Sequence, residues 1–419
     1  MAAPWLTGSK SISLSGQTAV AHPSCPSKGF VPAPLQVSFR FPPTMLYAAL
    51  AKTTALGSAN MIVTSALLRS DQALIEALID DVGSDFLFTG DMAHLGSDIR
   101  KSLIGRVGAA LCHLYLDQLG YSWLDYANQY IATRSPLADF LYDGASIGSQ
   151  GLALAEAKGS MTVTASASAV KSKADTAYNR QVSGHLGQIT SAGRVEYGCA
   201  IASAILPASA WRSGQASCFF HVTETAPPLP AGSSGGGFLA GGGGGTTGGD
   251  DDGAGYTSGV NCRVALRNYR AIFRLINAPY LADFVDAVLR GDPGKMEFVQ
   301  RFGRLSDLGE HELWIVGEPD GHPMGYWYDN ANGLARWGYR FALHDQSFKA
   351  VMDLVRRCGH DRGLLEKTVR LPKLSRSLGV DEKRGGDERS IPAPLGDGLA
   401  AVESYSTYYP DVENFSWSD

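Results

Sequence analysis

The sequence predicts a layered α/β (α+β) architecture with a mixed central sheet flanked by helices. Three observations carry this. Of 419 residues, 44% are hydrophobic and 18% charged, an ordinary globular balance in a chain long enough for two or three domains. Between residues 98 and 226 the apolar spacing gives the order helix, three strands, helix, two strands. A glycine-rich stretch then separates this part from a second α+β region.

Residues 1–97 are expected to be irregular, then helical. The first 43 are dense in Pro and Ser without clear periodicity, whereas 44–68 is apolar and Ala-rich. Ser70 is placed to cap a helix over SDQALIEALIDD. The clearest helix starts near Asp98, where Ile104, Val107, Leu111, Leu114 and Tyr115 recur at helical spacing before Gly120 ends it. Strands are expected near 121–130, 138–142 and 152–158, a polar and basic helix near 169–188, and strands at 197–206 and 217–225.

Residues 227–259 read as a flexible linker or loop, because so little apolar surface cannot offset the entropy of ordering. No GK[ST] follows the glycines, so a phosphate cradle is not expected there. Residues 260–380 form a C-terminal α+β module: helical over 263–290 with a break at Pro279, a hairpin of 312–318 and 324–329 around PDGHP, and a helix over 346–357. Residues 381–419 read as a charged and acidic tail.

Composition excludes several classes. A net charge of -5 confines any nucleic-acid contact to local patches. No window is apolar enough to span a membrane, and the N-terminus lacks the features of a signal peptide. Six cysteines never form CxxC, which disfavours zinc knuckles and a disulfide framework. Reduced, buried thiols in a cytoplasmic protein are the expectation.

The sharpest chemical signal is DFLYDGASIGSQGLALAEAKGS, residues 139–160. Leu152, Leu154, Glu156 and Lys158 share one strand face by period two, so an acid and a lysine end an otherwise apolar strand. An antiparallel hairpin across DGASIGSQG that pairs Asp139 with Glu156 also pairs Tyr142 with Ala153. That register brings Asp139, Glu156 and Lys158 to one end of the sheet. Asp143 is the second choice, about 13 Å further along the strand.

Asp139 followed by Glu156-Ala157-Lys158 at a strand end resembles the active-site motif of the PD-(D/E)xK nuclease superfamily, over roughly residues 98–226. The resemblance implies a restriction-endonuclease-like core and a Mg²⁺ (or Mn²⁺) ion held by Asp139, Glu156 and the carbonyl of Ala157. It implies that Lys158 orients or helps deprotonate the attacking water and steadies the phosphate charge. It also implies that a glutamine or basic residue of the following helix joins the site; Gln181 is the candidate, with Lys171, Lys173 and Arg180 as nucleic-acid contacts. Two departures stand out: Ala138 precedes Asp139, and no glutamate occurs between Asp81 and Gln150, so the core helix offers only Asp98 at its start.

In the second half, Arg263, Arg267, Arg270 and Arg274 are spaced to share a helix face, which suits either phosphate contact or pairing with acids elsewhere. Trp314, Tyr326, Trp327, Tyr328, Trp337 and Tyr339 are expected to be core rather than base-stacking residues. His311, His322 and His360 lack a metal-ligand spacing. The sequence thus predicts a metal-dependent nuclease acting on nucleic acid, with DNA as the expected substrate and bacterial defence suggested by analogy. Two alternatives remain: an inactive nuclease-fold subunit that binds nucleic acid, or an interaction platform in a homo-oligomer or larger complex.

Overall fold

The computed structural model describes residues 5, 8–25, 37–57, 61–79, 81, 83–143, 151–162, 164–226, 256–293, 296–305, 314–317, 339–374, 394–403 and 408–417. The chain is mixed α/β. Its N-terminal part comprises β1 (Lys10–Ala21), β2 (Ser38–Phe41), α1 (Pro43–Ala55), α2 (Met61–Leu78), α3 (Ser97–Gln118), β3 (Trp123–Tyr126), β4 (Phe140–Asp143), β5 (Leu152–Met161), α4 (Ala167–Ala177), β6 (Ile189–Thr190), β7 (Gly193–Ile205) and β8 (Cys218–Ala226). The remainder comprises β9 (Tyr256–Asn261), α5 (Cys262–Leu275), α6 (Pro279–Arg290), β10 (Phe298–Leu305), β11 (Trp314–Gly317), β12 (Tyr339–His344), α7 (Asp345–His360), β13 (Thr368–Lys373), β14 (Leu399–Glu403) and β15 (Tyr408–Trp417).

The main sheet runs β2-β1-β8-β7-β5-β4-β3, with β6 attached to β7. β3, β4 and β5 form an antiparallel meander, and β7 lies parallel to β5 after the α4 crossover. A five-stranded sheet, β14-β12-β11-β10-β15, and a β9–β13 pair complete the strands.

Two strands replace the irregular segment expected before residue 43. β2 buries Phe39 and Phe41 on alternate positions, and these rings pack against Phe86, Tyr115 and Phe220. β1 pairs antiparallel with β2 and parallel with β8, with a register shift between Leu14 and Gly16. α2 begins at Met61 and passes through Ser70, which is therefore no cap. α3 matches expectation, and Gly120 ends it at φ 101°. The helix expected over 169–188 stops earlier: α4, capped by Ser166, gives way to a wide turn at Tyr178–Val182 and a tight one at Ser183–His185.

The linker expectation falls on 227–255, outside the described residues, but Tyr256–Asn261 is strand. The break at Pro279 separates α5 from α6, with Asn277 at positive φ between them. Of the expected hairpin only Trp314–Gly317 is described, as β11; Tyr326, Trp327, Tyr328 and Trp337, and His311 and His322, lie outside the described residues. The acidic tail is corrected: Leu399–Glu403 and Tyr408–Trp417 are strands, and Phe415 and Trp417 pack on Phe284 of α6.

Nor do the two halves have separate cores. One hydrophobic cluster includes Leu46 and Leu50 of α1, Leu111 of α3, Ile272 of α5, Phe348 of α7 and Leu399 of β14. Lys52 and Asp397, both fully buried, are 2.5 Å apart. Lys52 also donates to the Ser122 carbonyl, and Asn268 donates to Asp397 at 2.8 Å. Asp397 accepts the Leu399 N–H too, and its carbonyl accepts from Tyr269. The partners come from α1, the loop before β3, α5 and the turn before β14, so this clasp fastens the C-terminal half onto α1 and the loop before β3.

Candidate active site

β4 and β5 pair with Tyr142 opposite Ala153 and Phe140 opposite Ala155, the expected register, which continued one step sets Asp139 beside Glu156. The two residues are reciprocally bonded. Asp139 N–H donates to Glu156 Oε2 at 2.9 Å, and Ala157 N–H donates to Asp139 Oδ2 at 3.2 Å. β4 starts only at Phe140, so the Asp139 side chain supplies the partner that Ala157 N–H would find in a longer strand. The Ala157 carbonyl leaves the backbone on that same, open edge.

Glu156 is fully buried, and its Oε1 faces the Lys158 ammonium as an ion pair without a further hydrogen bond. Lys158 is 34% exposed, so the cluster opens to solvent through the lysine. Burial, and then the charge of Asp139, push the Glu156 carboxyl up to about 7, against which Lys158 acts only in part. Desolvation raises Asp139 as well, opposed by the Ala157 N–H and Lys158.

Just past Lys158 the strand touches α3 backbone to backbone. A Cβ on Gly108 would meet Gly159 Cα at 2.6 Å, and one on Gly159 would strike the Ile104 carbonyl. Since side chains alternate, Gly159 faces α3 while Glu156 and Lys158 face α4. From α4, Lys173 reaches the Gly159 carbonyl at 3.4 Å; burial and the charge of Lys158 lower its pKa. Lys171 is engaged elsewhere, with Asp175 at 2.5 Å, and Arg180 is exposed.

Gln181 does not enter the cluster. Its amide donates to the Leu137 carbonyl at 3.2 Å, and His185 Nε2 bonds the Pro136 carbonyl at 2.9 Å. Together they grip the segment leading into Asp139. Sequence reading missed His185 in this role because its partner is backbone, which leaves no residue pattern to find. Asp143 lies at the other end of β4, where it accepts the Asn261 N–H at 2.6 Å. Asp98 does not complete the cluster; among the described residues no group of three Asp, Glu, His or Cys converges as for a metal ion.

The arginine stripe is turned to acids of the same chain, the pairing alternative. Arg263 pairs with Glu366 at 2.5 Å and Arg267 with Asp125 at 3.5 Å. Arg270 and Arg274 both pair with Asp286 and also donate to the carbonyls of Leu56 and Gly57. Arg270 is buried, which removes it from any phosphate surface. No helix among the described residues is long and apolar enough to cross a membrane. No family model, curated protein or solved structure matches this chain.

Proposed function

We propose that the chain is a metal-dependent nuclease that hydrolyses phosphodiester bonds of nucleic acid, with DNA as its substrate. The observation that carries this reading is the opposition of Asp139 and Glu156 across one strand pair, with Lys158 on the glutamate's face. The order α3, β3-β4-β5, α4, β7, with β7 parallel to β5, also agrees with a restriction-endonuclease-like core.

The residues suit a hard divalent cation. Burial and the Asp139 charge raise the proton affinity of Glu156, and Mg²⁺ or Mn²⁺ relieves that repulsion with oxygen ligands alone. Asp139, Glu156 and the Ala157 carbonyl would hold it. Once bound, such an ion supplies an activated water and Lewis-acid stabilisation of phosphate charge. The chain's own contributions are separate. Lys158 sits at the open side of the carboxylates, where its ammonium binds a phosphate oxygen and stabilises developing charge. Lys173, beside it, and exposed Arg180 hold the flanking backbone. Gln181 and His185 keep Asp139 at the sheet end.

The test is incubation of plasmid, linear duplex, single-stranded DNA and RNA with Mg²⁺, Mn²⁺ or EDTA. Metal-dependent cleavage is expected, falling by about 10³-fold or more in Asp139→Ala and Glu156→Ala, roughly 4 kcal/mol of barrier. Asp143→Ala should retain it. No cleavage of any substrate would refute the reading. Salt-sensitive binding without cleavage would favour a non-catalytic nuclease-fold subunit, a reading that the absence of a third converging acid among the described residues supports.

A further inference from the structure

Cys262 and Cys358 lie far from the carboxylates. Cys262 is the first residue of α5, directly after its capping Asn261, and Cys358 sits in the last turn of α7. Both side chains are free thiols with no exposed surface, and their sulfurs are 3.2 Å apart. That is inside ordinary sulfur–sulfur contact. A bond of about 2.05 Å therefore needs the sulfurs to close by only about 1.2 Å, within reach of small side-chain rotations. The short turn at Arg362–Glu366 packs on both helices, and Glu366 pairs with Arg263 at the surface.

We propose that Cys262 and Cys358 are an oxidation site, at which a small peroxide such as hydrogen peroxide installs a covalent bond between α5 and α7. A small oxidant is required because neither sulfur has exposed surface. One thiol, as its thiolate, attacks a peroxide oxygen; the O–O bond breaks, hydroxide leaves and takes up the thiol proton as water, and the sulfur becomes a sulfenic acid. The second sulfur attacks the sulfenic sulfur, and the hydroxyl leaves as water with the second thiol proton. Two protein thiols lose two electrons, and one peroxide becomes two waters. The bond joins positions 96 residues apart and encloses α6 and β10–β12, so it restricts the unfolded chain much more than the folded one.

The experiment uses the full chain, folded, with and without hydrogen peroxide, followed by alkylation in denaturant and non-reducing peptide mapping. The expected result is a Cys262–Cys358 linked peptide, loss of two of the six alkylatable thiols, and a rise of several degrees in the melting temperature that dithiothreitol reverses. Cys358→Ser should lose both the link and the rise; should that variant not fold, Cys262→Ala serves equally. Full alkylation of both cysteines, a link between other cysteines, or an unchanged rise in either variant would overturn the proposal. Cleavage activity enters none of these readouts.

Discussion

Lys52–Asp397 and Lys158–Glu156, two lysine–carboxylate pairs among the described residues with a fully buried carboxylate, differ in what surrounds them. Around Lys52–Asp397 both Asp397 oxygens are engaged, by Lys52 and Asn268 on one side and the Leu399 N–H on the other, and neither side chain touches solvent. Around Glu156–Lys158 the glutamate is equally buried, yet a second carboxylate is set against it and the lysine leans outward. A low-dielectric interior makes a satisfied network rigid and an unbalanced one responsive to protons and cations. The first pair joins parts of the chain; the second holds a charge imbalance in place.

The largest effect should come from breaking the satisfied pair. Asp397→Ala strands the Lys52 ammonium and should cost about 3–5 kcal/mol in urea unfolding, whereas Lys52→Met with Asp397→Leu recovers much of it. A wild-type unfolding midpoint for Asp397→Ala would mean that the clasp is not needed. Glu156→Gln should do the reverse. With its carboxyl held up to about 7, the folded protein keeps a proton that the unfolded chain releases near 4.5. That contribution to stability is fully present below about 4.5 and is lost as pH rises through about 7. Without divalent cations, the glutamine variant should therefore gain on wild type between those values and level off above, by roughly 1–3 kcal/mol. Glu224, also raised to about 7 by burial, has the same slope in both proteins and cancels. A difference independent of pH would mean that Glu156 is ordinary.

Gln181→Ala tests whether the cluster is positioned. Loss of one bond to the Leu137 carbonyl should cost about 1 kcal/mol of stability and weaken Mg²⁺ binding several-fold by calorimetry. Unchanged Mg²⁺ affinity would reduce Gln181 to a loop support. The smallest effect belongs to Arg267→Ala, about 0.5 kcal/mol of stability and no change in the salt dependence of DNA binding. A flatter salt dependence would return that arginine to the nucleic-acid surface.

The two pairs were also unequally legible in the sequence. Asp139, Glu156 and Lys158 lie on adjacent strands of one meander, where alternation alone gives face and register. Lys52 and Asp397 carry no comparable signal, because tertiary packing brings together positions 345 residues apart. The same reason hid the acids that hold the arginine stripe. β1 escaped notice because its residues alternate weakly between buried and exposed and a bulge interrupts them at Gly16; β15 was masked by its acids, which read as solvated chain.

The distance between Lys52 and Asp397 along the chain also sets a schedule. At 5–20 residues per second a ribosome needs roughly 20–70 s to travel from one to the other. Throughout that interval α1 has been made, but the carboxylate that neutralises its lysine has not. β1 likewise waits for β8 before the centre of the main sheet can close. The native core is thus completed only once Asp397 has been made. Until then the apolar face of α1 is a surface for a chaperone to hold.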